Sequence, residues 1–166
     1  PLPDGTPDLK AIAAALRVSV DELLGAPRQY GLTQEHKHLK EMVKLCGLDT
    51  APVFCPIVDD FYSGMEVTIP LFANMLNGKN IADIKEIYKQ KYNGPIVKFV
   101  EDFHENGFVS ANKLSFKDSM EISVSGNEER ILLIARYDNL GKGASGAAVE
   151  CMNIKLGVDK KTGLDL

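Results

Sequence analysis

The sequence is poor in cysteine and has no excess of basic residues. Its three cysteines, Cys46, Cys55 and Cys151, are odd in number and form no CxxC pair. We therefore expect neither a disulfide framework nor a metal site, and we predict a reducing, cytoplasmic setting. The formal net charge is -4, so the composition offers no broad basic surface to a nucleic acid partner.

Long apolar runs are also missing. No stretch approaches the roughly 18 consecutive apolar residues that a membrane-spanning helix needs. The first residues lack the basic region and apolar core of a secretory signal. We therefore predict a soluble protein without a membrane partner. Because 45% of the 166 residues are hydrophobic, the chain can still build a core of ordinary size.

Residues 1–27 have the pattern of a small helical appendage. Either Thr6 or Asp8 can cap a first helix, and Ser19-Val20-Asp21-Glu22 matches the capping box of a second. Gly25-Ala26-Pro27 would end the pair. The first helix carries an apolar stripe, formed by Leu9, Ile12 and Leu16.

The rest of the chain mixes helical and extended patterns. Apolar residues at helical spacing predict helices over Thr33–Leu45, Ile81–Tyr92 and Ala144–Leu156. Residues of high β-propensity predict strands over Val53–Val58, Met65–Leu71, Ile96–Val100, Phe108–Leu114, Met120–Val124 and Arg130–Tyr137. Consecutive strands with segregated helices indicate an α+β fold, with a mixed, largely antiparallel sheet and helices on one side.

Several positions are expected in the core. Leu39 and Leu45 are predicted to be buried in the helix of residues 33–45, which Gly47 would end. Val67 and Ile69 alternate with a threonine, the pattern of a half-buried strand.

Residues 141–146 read Gly-Lys-Gly-Ala-Ser-Gly and match the G-x-G-x-x-G dinucleotide fingerprint, after a strand and at the start of a helix. Only ten residues follow Leu156, too few and too polar for the second parallel strand, so a self-contained nucleotide-binding unit is not expected. Two interpretations stay open. The glycines and Lys142 could form an anion site at the helix start, or the segment could be a tight turn with close packing.

His36-Lys37-His38 places two imidazoles and an ammonium within three residues. One histidine could act as a general acid or base, or the triplet could be a solvated helix start. His104 is expected at the surface. Arg136, inside an apolar strand, lies either at an edge or binds an anionic substrate or a carboxylate by bidentate bonds. Cys55 is expected to be a small core residue.

The segment Tyr-Asp-Asn-Leu-Gly-Lys-Gly-Ala-Ser-Gly-Ala-Ala at residues 137–148 closely resembles the C-terminal signature of N-acetyl-γ-glutamyl-phosphate reductases. The resemblance extends to Tyr30-Gly31-Leu32-Thr33 with the histidine triplet, to Asp60-Phe61-Tyr62-Ser63-Gly64-Met65 and to Gly126-Asn127-Glu128-Glu129-Arg130. It covers residues 28–166.

The resemblance implies that residues 28–166 are a glyceraldehyde-phosphate-dehydrogenase-like C-terminal domain. It implies a homodimeric oxidoreductase of arginine biosynthesis that uses NADPH to reduce an acyl phosphate to a semialdehyde, through a thioester on a cysteine. His38, together with His36, would then be the acid–base group. Cofactor contacts would come from Asn139, Gly141, Lys142 and Gly143, and we predict substrate contacts from Lys37 and Arg136.

The sequence departs from the family in two respects. The family's catalytic cysteine lies in an Asn-Pro-Gly-Cys-type motif upstream of the histidine triplet, and no such motif occurs here. The βαβ nucleotide-binding domain is also absent from these residues. The sequence therefore predicts a fragment or chimera that is inactive alone and expects a nucleotide-binding domain as partner. A non-catalytic dimerisation or interaction module is the alternative.

Residues 6–25 resemble the last two helices of a helix-turn-helix domain of the lambda-repressor type. The recognition helix, which reads the major groove, would precede Pro1. A DNA-binding regulator is therefore the less favoured alternative.

Overall fold

The computed structural model describes residues 8–17, 19–20 and 27–166. The chain divides into two compact units, Pro1–Tyr62 and Ser63–Leu166. The domain boundary that the sequence suggested between residues 27 and 28 stays a prediction. Within the described residues, no helix is long and apolar enough to cross a membrane.

Within residues 8–17, 19–20 and 27–62, the first unit contains two helices and one short β-ladder. Its elements are α1 (Leu9–Leu16), β1 (Arg28–Gln29), α2 (Lys37–Cys46) and β2 (Ile57–Val58). α1 begins after Asp8, whose carboxylate accepts the amide N–H of Ala11 at 3.0 Å, which confirms one of the two expected caps. The second predicted helix lies outside the described residues, apart from Ser19 and Val20.

α2 begins four residues later than predicted because Gln34 holds the preceding segment in a turn. The Gln34 backbone is left-handed, with φ 58°. Its side-chain Nε2 donates to the carbonyl of Phe54 at 2.7 Å, and its Oε1 accepts the amide of Phe54 at 2.9 Å. This side chain therefore joins the residues before α2 to those before β2.

The burial of α2 matches the prediction at one residue and contradicts it at another. Leu39 is buried, whereas Leu45 is 82% exposed. Leu45 follows Leu39 by six residues, about 240° around an α-helix, so it lies away from the buried side. Gly47 ends the helix with φ 64°, as predicted.

The second unit is built on a four-stranded sheet. Its strands are β3 (Met65–Phe72), β4 (Val97–Phe99), β5 (Met120–Gly126) and β6 (Arg130–Tyr137), in the order β3-β6-β5-β4. β6 pairs antiparallel with β3 and β5, and β4 pairs parallel with β5. The fold is thus α+β with a mixed, largely antiparallel sheet, as predicted. The strand predicted at residues 108–114 is absent: Phe108 forms an isolated bridge with Glu105, and residues 111–116 form turns.

Two helices accompany this sheet. α3 (Ile81–Lys91) starts with a complete capping box between Asn80 and Asp83 and packs against β5 and β4. α4 (Gly146–Leu156) is preceded by a π-helical turn over Gly141–Ser145. The predicted start of α4 at Ala144 is therefore two residues early, and Gly157 ends the helix with φ 71°.

The core of the second unit lies under β5 and β6 and leaves β3 uncovered. Val124 and Ile131 are fully buried, whereas Val67 is 39% and Ile69 is 52% exposed. The prediction of a half-buried strand is therefore wrong for this chain. α3 packs on β4 and β5, at the opposite end of the strand order from β3.

Candidate functional site

Four rings gather near the start of α2 in the first unit: Tyr30, His36, His38 and Phe54. The ring centroids of His36 and His38 are 4.6 Å apart, and His36 lies 5.2 Å from Phe54 and 6.0 Å from Tyr30. The β1–β2 ladder continues into a bond from the Tyr30 amide to the Pro56 carbonyl, at 3.0 Å. That bond and the Gln34 bridge hold the aromatic residues beside the helix start.

His36 is the N-cap of α2. Its Nδ1 accepts the backbone N–H of His38 at 3.3 Å. Because an accepting Nδ1 carries no proton, neutral His36 has its proton on Nε2. The His38 ring is exposed, and so is Lys37. A role of the triplet in acid–base chemistry stays a prediction.

All three cysteines are free and exposed. The expectation that Cys55 belongs to the core is wrong, since its neighbours Phe54 and Pro56 are half-buried in its place. His104 is exposed, as predicted, and its Nδ1 accepts the amide of Gly107 at 3.1 Å. Within residues 8–17, 19–20 and 27–166, no three metal-ligating side chains come together.

Asp138, which is not among the predicted site residues, organises the glycine-rich loop of the second unit, residues 139–146. Its carboxylate is 1% exposed and accepts four hydrogen bonds. They come from the Ser63 hydroxyl at 2.7 Å, the Leu140 amide at 2.6 Å, the Gly141 amide at 2.9 Å and the Phe116 amide. An Asp immediately before a glycine-containing turn is the sequence signal that would have identified it.

These bonds keep Asp138 charged. Burial alone would raise the pKa of its carboxyl, but the hydrogen bonds from Gly141, Ser63, Phe116 and Leu140 outweigh burial and hold the pKa below its ordinary value. A carboxylate that accepts several N–H bonds is stabilised in its ionised form. The negative charge beside the start of the π-helical turn Gly141–Ser145 is therefore that of the Asp138 carboxylate.

The remaining loop amides are also used within the chain. The amide of Lys142 donates to the carbonyl of Lys117 at 3.3 Å, and that of Gly143 donates to the carbonyl of Asp138 at 2.8 Å. A Cβ at Gly141 would lie 2.5 Å from the Lys117 carbonyl oxygen. Of the two interpretations left open by the sequence, a tight turn with close packing describes this loop better than an open phosphate cradle.

Two side chains of the loop have defined partners. Lys142 Nζ lies 2.7 Å from Glu150 Oε2, with both side chains half-buried. Asn139 accepts the amide of Gly64 on its Oδ1 at 2.8 Å, which leaves its Nδ2 as a donor for a ligand. Contacts of Asn139, Gly141, Lys142 and Gly143 with a cofactor stay a prediction.

Arg136 binds two carboxylates. Its Nε and one terminal nitrogen each lie 2.8 Å from Glu121 Oε2, and the other terminal nitrogen lies 2.7 Å from Glu105 Oε1. The guanidinium also stacks on Phe103, 4.2 Å from the ring centroid. Hydrogen bonds from Lys113 and Arg136 lower the pKa of Glu105 to about 2. A direct contact of Arg136 with substrate stays a prediction.

The predicted site residues fall in both units. The first unit brings His36, Lys37 and His38 together, and the second contains Arg136 and the loop residues Asn139, Gly141, Lys142 and Gly143. Sequence reasoning found the histidine triplet through its composition and the loop through its glycines. It missed Glu105 and Glu121, because their partner Arg136 lies 31 and 15 residues away in the sequence.

Comparison with known proteins identifies the family. Residues 13–139 match the family described as semialdehyde dehydrogenase, dimerisation domain. The match begins inside α1, within the segment we predicted to be an appendage. The chain is 40% identical over 134 residues to proteins named N-acetyl-gamma-glutamyl-phosphate reductase from Brucella ovis, Brucella canis and Brucella melitensis.

The aligned region is 77% of this chain and 43% of each of these relatives. The chain therefore spans less than half the length of the curated relatives it matches. The family match, in contrast, covers most of the chain and includes the strands β3 to β6. The chain belongs to the semialdehyde dehydrogenase dimerisation-domain family.

Proposed function

We propose that this chain is the dimerising, substrate-side part of an NADPH-dependent N-acetyl-γ-glutamyl-phosphate reductase, a cytoplasmic oxidoreductase of arginine biosynthesis. The observation that carries the proposal is the accessible imidazole pair at the start of α2, in a chain 40% identical to reductases of that name. Hydride transfer then requires a nucleotide-binding unit and a nucleophilic cysteine in addition to these 166 residues.

In this proposal His38 transfers a proton at the reacting carbonyl oxygen of the substrate. His36 fixes the position of His38, because its Nδ1 accepts the His38 amide. Lys37 is exposed beside them and would attract the phosphate of the acyl-phosphate substrate. Arg136 would contribute to substrate binding by bracing the sheet through Glu105 and Glu121.

NADPH supplies the hydride when it is bound. The second unit offers Asn139 Nδ2 as a donor toward this cofactor, since Asn139 Oδ1 is used by Gly64. The loop amides and Lys142 are occupied within the chain. Gly141 and Gly143 would therefore serve the cofactor indirectly, by allowing the close internal packing that shapes the loop. The NADPH phosphates would be bound by the nucleotide-binding unit.

The exposed apolar side chains of α4 support the proposal that a further protein unit packs against this helix. α4 buries only Gly146 and Asn153. Leu156 is 67% exposed, and Met152 and Ile154 are exposed as well. Such a concentration of apolar side chains on one helix marks an interaction surface. We propose that the nucleotide-binding unit covers α4.

A segment exchange tests the proposal. The 134 matching residues of this chain replace their counterpart in the Brucella ovis reductase, and NADPH-dependent reduction of the acyl phosphate is measured. The hybrid should be active, and His38→Gln should lower its kcat by about 10²- to 10⁴-fold, as expected for the loss of a general acid or base. His104→Gln is the matched control and should leave kcat unchanged. Equal kcat values for the two variants would refute the role of His38.

A non-catalytic dimerisation module is the second candidate. It is favoured by the uncovered apolar residues of β3 and by the description of the family as a dimerisation domain. The same exchange separates the two functions. A hybrid that folds and dimerises but lacks all turnover supports the module, and an active hybrid supports the reductase.

A further inference from the structure

The segment after α4 returns to the start of that helix and contacts it through Asp118. The amide of Asp118 donates to the carbonyl of Asp165 at 2.6 Å, and the amide of Asp165 donates to Asp118 Oδ2 at 3.0 Å. Lys117 Nζ lies 2.6 Å from Asp165 Oδ1. Two hydrogen bonds in opposite directions thus join Asp118 to Asp165. An exposed ion pair between Lys117 and Asp165 lies beside them.

The middle of the same segment is fixed to α4. Asn153, one of the two buried residues of the helix, donates from its Nδ2 to the carbonyls of Thr162 at 2.8 Å and Lys160 at 3.2 Å. Hydrogen bonds therefore connect residues 159–166 to α4 at Asn153 and to Asp118 at residue 165. We call Lys117, Asp118, Asn153 and residues 159–166 the tail clamp.

The tail clamp acts on the glycine-rich loop at two points. The carbonyl of Lys117 accepts the amide of Lys142 at 3.3 Å. Asp118 Oδ1 lies 2.1 Å from the position of a Cβ at Gly146, and 3.1 Å from that of Gly141. The residues that pair with the tail are therefore also those against which the loop packs.

The loop needs such support because of its conformation. Residues 141–145 form a π-helical turn, a rare geometry with less favourable backbone bonding than the α-helix. Three of the loop's residues, Gly141, Gly143 and Gly146, are glycines, which lose more conformational entropy than any other residue when they are ordered. The turn is therefore ordered by contacts from outside the loop.

We propose that the tail clamp holds the glycine-rich loop in its π-helical turn, with Asp118 as the positioning residue that transmits the order of residues 159–166 to the loop. The link from this order to cofactor binding rests on the function proposed above. The order of the loop itself does not, and it can be measured in the chain alone.

Hydrogen–deuterium exchange of the full chain tests the clamp. Asp118→Leu removes the acceptor for the Asp165 amide, and Asp165→Pro removes the donor. Both variants should raise the exchange rate of the amides of residues 140–146 by roughly tenfold or more, and leave the amides of β5 and β6 unchanged. Asp118→Asn keeps an acceptor oxygen and should restore wild-type exchange in the loop. Lys155→Ala, at an exposed position of α4 outside the clamp, is the control and should leave the exchange of the loop unchanged.

The outcomes separate local positioning from a general loss of stability. Unchanged exchange in the loop of both Asp118→Leu and Asp165→Pro would overturn the proposal. An increase of equal size in the loop and in β5 and β6 would also overturn it. A loop-specific increase upholds the clamp even if the chain proves to have no part in a reductase.

Discussion

At the scale of single residues, buried carboxylates decide how the second unit is organised. Asp138 satisfies four donors from three separate segments, and Glu105 and Glu121 neutralise a fully buried guanidinium. A buried charge is tolerated only when its bonds replace the water it has lost. Hydrogen bonds hold the pKa of Asp138 and of Glu105 below their ordinary values, so protonation of these two carboxylates opposes folding.

Glu105 provides a prediction about acid stability. Its pKa falls from the ordinary 4.5 to about 2 on folding, so the unfolded chain binds the proton more tightly. The stability that Glu105 contributes is complete above pH 4.5 and is lost as the pH falls toward 2. In urea unfolding at pH 6, Glu105→Gln should therefore be less stable than wild type. The difference in the free energy of unfolding between the two proteins should shrink as the pH falls from 4.5 toward 2.

Glu101→Gln serves as the control for this measurement, because Glu101 is an exposed carboxylate in the same loop. Its stability should follow the wild-type pH dependence. A Glu105→Gln variant whose stability parallels that of wild type down to pH 2 would show that Arg136 and Lys113 do not stabilise the charged carboxylate.

The sequence signalled Arg136 but not its partners. An arginine in an apolar strand indicates that a carboxylate or an anion lies close to it. The two partners lie 15 and 31 residues away in the sequence. No local pattern relates positions so distant, so the pairing depends on the register of β5 against β6 and on the course of residues 100–116.

At the scale of elements, local sequence patterns predict helix and strand ends correctly where nearby residues make the hydrogen bonds to the backbone. α3 has its capping box, α2 and α4 end at glycines, and β6 has the predicted bounds. The patterns failed at the start of α2 and at the start of α4. At α2 the Gln34 side chain ties the preceding segment to the backbone of Phe54. At α4 the Asp138 carboxylate accepts the amides of Leu140 and Gly141.

Gly146 gives the element-scale prediction. At a helical position Ala is ordinarily favoured over Gly by about 1 kcal/mol. A Cβ here would lie 2.1 Å from Asp118 Oδ1 and 2.9 Å from Asp118 Cβ, so rotation of the carboxylate does not relieve the overlap. Gly146→Ala should therefore lower the free energy of unfolding by roughly 1–3 kcal/mol, measured by urea denaturation.

Gly94→Ala is the matched control, since the nearest atom to its new Cβ is the Val97 carbonyl oxygen at 3.8 Å. It should change the free energy of unfolding little. If Gly146→Ala were as stable as wild type or more so, Asp118 would not be fixed where the tail clamp requires it.

At the scale of the whole molecule, the chain exposes more apolar side chains than an isolated domain needs. Met65, Val67 and Ile69 alternate along one face of β3. Alternate residues of a strand point to the same face, so these three form one stripe. Together with the family's description as a dimerisation domain, the stripe favours a second copy of this chain as its cover.

The stripe leads to a prediction about assembly. Ile69→Lys places a charge in the expected interface and should raise the dimer dissociation constant about 30-fold or more, the equivalent of ~2 kcal/mol at an interface centre. Thr68→Lys puts the same charge on the opposite face of β3 and should leave the constant unchanged. Sedimentation velocity measures both. A wild-type chain that stays monomeric at high concentration would contradict the prediction.

The sequence by itself determined the α+β class, the bounds of β6, the helix ends and the histidine triplet, because these follow from periodicity, glycine conformation and residue chemistry within a few positions. Only the tertiary structure decided that Asp138 is the anion of the glycine-rich loop, that Arg136 is held by Glu105 and Glu121, and that Val67, Ile69 and Leu156 stay exposed. Burial and ion pairing depend on which distant segments meet, and local pattern carries no information about that.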